Sequence, residues 1–141
     1  MDINGFINDE VFILYKFVEI YERLKFGYFK TETEMLERYP QMNNIKDKIK
    51  KCKFEEKEIE EIKAINIDSI KNEFYFTRHI SLTLGFLYHL RNSICHAKII
   101  KEANYVKLFD YSAGGNPQCN AKGYFKYEII VELTSELNKV S

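Results

Sequence analysis

The sequence predicts a mainly α protein: an antiparallel helical bundle with a small β-hairpin before a C-terminal helix. Three observations lead there. Breakers are scarce, with 6 Gly and 2 Pro in 141 residues, and these residues are the strongest punctuators of regular structure. A central segment, from Asp68 or Ser69 to about Cys95, is apolar around most of a helical circumference after Ile80, as a helix packed on more than one side must be. Beyond His96 the apolar pattern changes to strand-like alternation in "NYVKLFDYS" and "KGYFKY".

Taken in order, Asn8 or Asp9 can cap a first helix, and Asp9 and Glu10 suit its N-terminus. Phe12, Tyr15, Phe17, Val18, Tyr21, Leu24 and Tyr28 recur at steps of three and four, with Gly27 near the expected end. Thr31 and Glu34 form a capping box for a short helix that must stop before Pro40. The charged stretch that follows is basic from Lys46 to Lys53 and acidic from Glu55 to Glu61. It reads as a solvated helical pair or peripheral helix, with partner docking as the other use of such a charge switch. The central helix comes next, where Gly85 can permit close approach. Asn104 to Ser112 reads as a strand, "AGGNPQCN" as a turn, "KGYFKY" as the returning strand. Ile130, Leu133, Leu137 and Val140 then mark the last helix, although Ile129 to Val131 can also extend the strand.

Composition narrows the function. The chain is long enough for one domain, 1–141, with its own core. Its formal net charge is zero, which argues against a globally basic nucleic-acid binder and leaves only local patches. Three cysteines (Cys52, Cys95 and Cys119) form no disulfide framework and no Cys-x-x-Cys pair. A reduced, cytoplasmic setting is the simplest expectation. The N-terminal stretch carries acids where a signal peptide would be basic. The longest apolar run, about Ile80 to Leu90, is too short to span a bilayer.

The stretch with the most chemistry is "LYHLRNSICHAKII", Leu87 to Ile100. Arg91, Asn92 and His96 interrupt its apolar run. Asn92 and His96 are neighbours on one helical face. Arg91 and His96 point roughly 140° apart on an ideal helix, so they share a face only if the helix ends or distorts there. In the structural reading, Arg91 pairs with Glu19 or Glu22 and His96 caps the helix C-terminus, where a cation is favoured. His79 reads as a satisfied core histidine. A Cys95–His96 nucleophile pair and a zinc site from Cys95, His96 and Cys119 both lack suitable spacing. "AGGNP" lacks the ending of a phosphate-binding loop.

"RNSICH" resembles the Arg-x4-His signature of the HEPN superfamily, with Asn92 as the polar second residue. The likeness covers about Phe86 to Leu137 and is closest to small single-domain bacterial HEPN nucleases; before Phe86 it rests on helical pattern alone. The resemblance implies an HEPN-like bundle and metal-independent endoribonuclease activity of a toxin or antiphage-defence type, with no cofactor. Arg91, Asn92 and His96 would be catalytic, with His89, Lys98, Lys101 and Lys122 expected to touch RNA. The residue types suit the reaction. Histidine moves protons near neutral pH, and arginine's planar donors match a phosphorane's charge. Products would be a 2′,3′-cyclic phosphate and a 5′-OH, and DNA would resist. The resemblance also implies a homodimer with a composite active site, and an antitoxin or regulatory protein as a further partner. From Arg91 to Lys126 six basic residues face two acids, a local excess that suits a short RNA segment. The alternative within the same family is a non-catalytic domain that binds a partner protein or nucleotide.

Overall fold

A computed structural model describes residues 4–140. It replaces the expected helical bundle with a mixed α/β fold built on a five-stranded sheet of order β1-β2-β5-β4-β3. The strands are β1 (Lys53–Glu56), β2 (Glu73–Phe76), β3 (Ile99–Glu102), β4 (Tyr105–Tyr111) and β5 (Cys119–Lys126). The helices are α1 (Asn8–Arg23), α2 (Glu32–Arg38), α3 (Met42–Ile49), α4 (Ile59–Ala64), α5 (Leu82–Cys95) and α6 (Tyr127–Val140). β1 and β2 are parallel, joined through α4, and every other pairing is antiparallel. No helix among the described residues is long and apolar enough to cross a membrane.

Three strands account for the difference from the predicted bundle. β2 occupies the front half of the expected central helix. Its "EFYF" run has the aromatic content of a strand and is buried from Phe74 to Phe76; a short apolar run of this kind fits either period. The helix begins only at Leu82, where Ser81 Oγ accepts from the Leu84 N–H at 3.1 Å. β1 splits the charged segment into α3, strand and α4. Its charges are largely paired inside the chain, Lys46 with Glu32, Lys51 with Glu132 and Lys57 with Glu55 and Glu61. β3 is a strand the sequence reading does not anticipate, and it pairs with β4 in register Ile99↔Leu108.

The expected hairpin and last helix after residue 104 are present, with shifted bounds: Cys119 and Asn120, expected in the turn, belong to β5, Tyr127, expected in the strand, opens α6, and Ile129 to Val131 belong to α6. The short helix α2 is capped as anticipated, with Thr31 Oγ1 accepting from the Glu34 N–H at 3.0 Å. The Glu34 carboxylate reaches the Lys30 N–H instead of closing the box on Thr31. The first helix stops early, Lys25 taking the left-handed turn at φ 59°. Its buried stripe is Leu14, Phe17, Ile20 and Tyr21, while Phe12, Tyr15 and Tyr28 stay exposed.

The core lies between the sheet and α1, α5 and α6. Phe74 and Phe86 meet edge to face with ring centroids 4.9 Å apart, and Phe125 packs 5.7 Å from each, a favoured aromatic geometry. Lys122 alternates to the opposite face, where its Nζ donates to the Lys63 and Ile65 carbonyls at the end of α4.

Gly85 sets the close approach on which the site depends. A Cβ there would stand 2.7 Å from the Phe76 ring and 3.1 Å from His79 Cβ. Gly85→Ala is therefore expected to lower stability by about 1–2 kcal/mol, because overpacking outweighs the helix-propensity gain. Urea denaturation measures it.

Candidate functional site

α5 ends in a tight turn at His96. His96 is the C-cap, at φ −96° and ψ 9°. The Ala97 N–H donates to the Ile94 carbonyl at 3.1 Å and the Lys98 N–H to the Ser93 carbonyl at 2.8 Å, the paired closure of a Schellman turn. Ala97 takes φ 55° there, a conformation glycine adopts without strain. Ala97→Gly is expected to stabilise the fold by about 0.5–1 kcal/mol, read as a raised melting temperature.

Beneath this turn runs a chain of polar contacts. Arg91 Nε donates to Glu22 Oε1 at 2.7 Å, and Nη2 stands 2.6 Å from the same oxygen. Arg91 Nη1 donates to Asn92 Oδ1 at 2.9 Å, and Asn92 Nδ2 donates to Asp110 Oδ2 at 3.2 Å. That carboxylate oxygen is 2.7 Å from His89 Nδ1, and His89 Nε2 is 3.3 Å from the Thr77 carbonyl. Both His89 nitrogens face oxygen atoms. The His89 and Asp110 side chains are each 4% exposed, and His89 also lies on the Phe76 ring. Burial is the largest single influence and works against the Arg91 charge, but the Glu22 hydrogen bond and the neighbouring Cys95, Glu22 and Tyr21 groups together raise the guanidinium pKa above its ordinary value. Hydrogens on both Nη atoms remain unused by these contacts.

Arg91, Asn92, His89 and His96 line one cleft of about 580 Å³ together with Arg78, His79 and Asp110. An adjoining cavity of about 530 Å³ shares His96 with it and adds Lys98. His96 is exposed. Asn92 does not orient His96, because its amide is committed to Arg91 and Asp110. His89 forms floor, not an open RNA contact. Lys101 pairs with Glu10 at 3.1 Å and lines a separate cavity, and Lys122 is held by α4. Lys107 is tied to Asp68 and Glu102, so the basic patch counted along the sequence is dispersed. Only Arg91 and Lys98 of those six reach the two cavities, joined by Arg78 from outside that stretch.

Three residues of the cleft were not expected. Asp110 follows Val106 and Leu108 on the buried side of β4, where period-2 alternation calls for an apolar residue; a charge in that slot is the signal that could have found it. Asn120 comes from a register shift opposite Asp110 and Tyr111, and bulges commonly re-aim a side chain at such a place. His79, expected as a core histidine on a helix, sits in the loop between β2 and α5. Its ring stacks on Tyr88 with centroids 4.6 Å apart, and its buried Nδ1 has no hydrogen-bond partner. Cys52 and Cys119 are buried, and burial pushes the Cys52 thiol up to about 12. Cys95, His96 and Cys119 form no metal-holding group among the described residues.

No protein-family model matches the chain, and no curated protein or solved structure is detectably similar to it.

Proposed function

We propose that the cleft cleaves RNA without a metal ion, by attack of a ribose 2′-OH on the adjacent phosphate. The observation that carries this reading is the joint placement of an exposed His96 and a positioned Arg91 on one open cleft. Arg91 would hold the phosphate through its unused donors, with Asn92 fixing the guanidinium plane. His96 would transfer a proton. The resemblance of "RNSICH" to the HEPN nuclease motif points the same way, although the helical bundle that came with it has been replaced by a sheet. Incubating the pure protein with single-stranded and structured RNA in EDTA tests the reading. Cleavage leaving 2′,3′-cyclic phosphate and 5′-OH ends, lost in Arg91→Ala, is the expected result; equal cleavage by wild type and variant sinks it.

A second reading, binding without catalysis, is favoured by Phe12 and Tyr15, which are 67% and 58% exposed on α1. Large exposed aromatics suit a protein partner, either a second copy of the chain or an inhibitory protein. Inertness toward RNA, with a stable complex in sedimentation, would support it.

A further inference from the structure

We propose that His79 is the general base of this reaction and His96 its general acid, so that one chain holds both proton-transfer groups. The inference rests on the RNA-cleavage reading above. Cleavage by 2′-OH attack needs two transfers: a proton leaves O2′ as the O2′–P bond forms, and another reaches O5′ as the P–O5′ bond breaks. The neutral ring of His79 takes the first, and the protonated ring of His96 gives the second. The products are the cyclic phosphate and a 5′-OH, with the two histidines left in exchanged protonation states that solvent resets.

The three histidines of the chain all line the cleft, and the hydrogen-bond pattern divides their duties. His89 is committed through Nδ1 to Asp110 and through Nε2 to the Thr77 carbonyl, which leaves it nothing to exchange. His96 is exposed and forms no side-chain hydrogen bond among the described residues. His79 keeps an unpartnered buried Nδ1. Buried nitrogens normally find a partner; because Nδ1 is closed to solvent, the ring must turn toward the cleft to accept from a 2′-OH, and catalytic hydrogen bonds often form only in the substrate complex.

The ring is held for the task. Tyr88 stacks against it, and Gly85 leaves room for His79 Cβ to press on α5. Arg78 stands beside it, with His89 and Arg91 on α5, Asp110 and Tyr111 on β4, and His96 at the helix end around the same cleft. Burial first, and the neighbouring His89 second, push the His79 pKa below the ordinary histidine value. A base must be neutral when it acts, and this environment favours that form.

The test uses the full chain, a short single-stranded RNA and single-turnover kinetics, with His79→Phe, His79→Ala, His96→Ala and Arg91→Ala. Phenylalanine keeps a ring on Tyr88 and removes both nitrogens. Both His79 variants are expected to cut about 10²–10⁴-fold more slowly, with a melting temperature near wild type. The fall in rate toward low pH should disappear from their profiles, and added imidazole should partly rescue His79→Ala. Three results overturn His79 while leaving RNA cleavage in place: His79→Phe within about threefold of wild type while His96→Ala is inactive, a retained acidic limb, or a rate loss that follows a lost melting temperature and resists imidazole. Wild type that cuts no RNA, or Arg91→Ala and His96→Ala that cut it normally, removes the RNA-cleavage reading and His79 with it.

Discussion

His96→Ala is expected to lower RNA cleavage by about 10²–10⁴-fold, the usual cost of removing a positioned acid or base, while the melting temperature stays close to wild type. The structural reason for the second half is local. The turn after α5 is closed by backbone hydrogen bonds from the His96, Ala97 and Lys98 N–H groups, none of which needs the imidazole. The ring itself is exposed and has no side-chain hydrogen bond among the described residues. What truncation can remove is its interaction with the helix C-terminus, worth roughly 0.3–1 kcal/mol at an exposed site. If His96 only capped the helix, the same variant would lose some stability and change no rate. Arg91→Ala is a less clean probe, since it also releases Glu22 and Asn92. Its rate and its stability should fall together. Parallel melting and kinetic measurements on the two variants separate a chemical role from a packing one, and undiminished cleavage by His96→Ala ends the chemical one.

How far the sequence led depends on the range of the interactions involved. Thr31, the β4–β5 hairpin and α6 were legible because their signals are local: a cap three residues from its donor, a two-residue period, apolar residues at helical spacing. Glu22 as a partner of Arg91 was one of two residues anticipated, and it is the one found. β1, β2 and β3 were not legible. Each has four residues. β1 pairs with β2 twenty positions on and β2 with residues of β5 some fifty positions later, pairings that no local period reveals; β3 pairs with the adjacent β4 across Ala103 and Asn104, but its four residues are too few to set a period of their own. The site follows the same division. Arg91, Asn92 and His96 lie within six consecutive residues and were read together. Asp110 and His79 reach them only through the sheet, Asp110 along β4 and His79 from the end of β2. A helix over the front of the central segment puts His79 on an apolar face, whereas the strand found there leaves it in a loop at the cleft. The lysines failed in the opposite way: proximity in sequence grouped Lys101, Lys107 and Lys122, and strand alternation with intramolecular pairing separated them.

Asp110→Ala is the variant expected to cost most stability, about 2–5 kcal/mol, because it leaves two buried groups without their partner at roughly 1–3 kcal/mol each. Asp110 serves two donors with one oxygen, His89 Nδ1 and Asn92 Nδ2. Its removal leaves both without their acceptor among buried groups, and a buried polar atom that loses its partner forfeits its full desolvation cost. A loss of that size is comparable with much of the stability of an ordinary domain, so urea denaturation should show a largely unfolded protein at denaturant concentrations the wild type tolerates. Asp110→Asn keeps an acceptor oxygen and the side-chain volume, and its loss should be smaller. The pairing itself is isolated by the double variant His89→Phe, Asp110→Leu. An apolar pair of similar size leaves no orphaned charge and can be nearly neutral, so the double variant should be more stable than Asp110→Ala and than the sum of its own single changes predicts. In that background Asn92 has lost its anchor, Arg91 retains only Glu22 to hold it, and the cleft keeps its walls without its polar floor. If the polar chain serves only to stabilise the fold, RNA cleavage returns together with stability. If the chain positions Arg91, stability returns and cleavage does not; that second outcome follows from Asn92 being, among the described residues, the one hydrogen-bonded link between the Arg91 guanidinium and the buried pair.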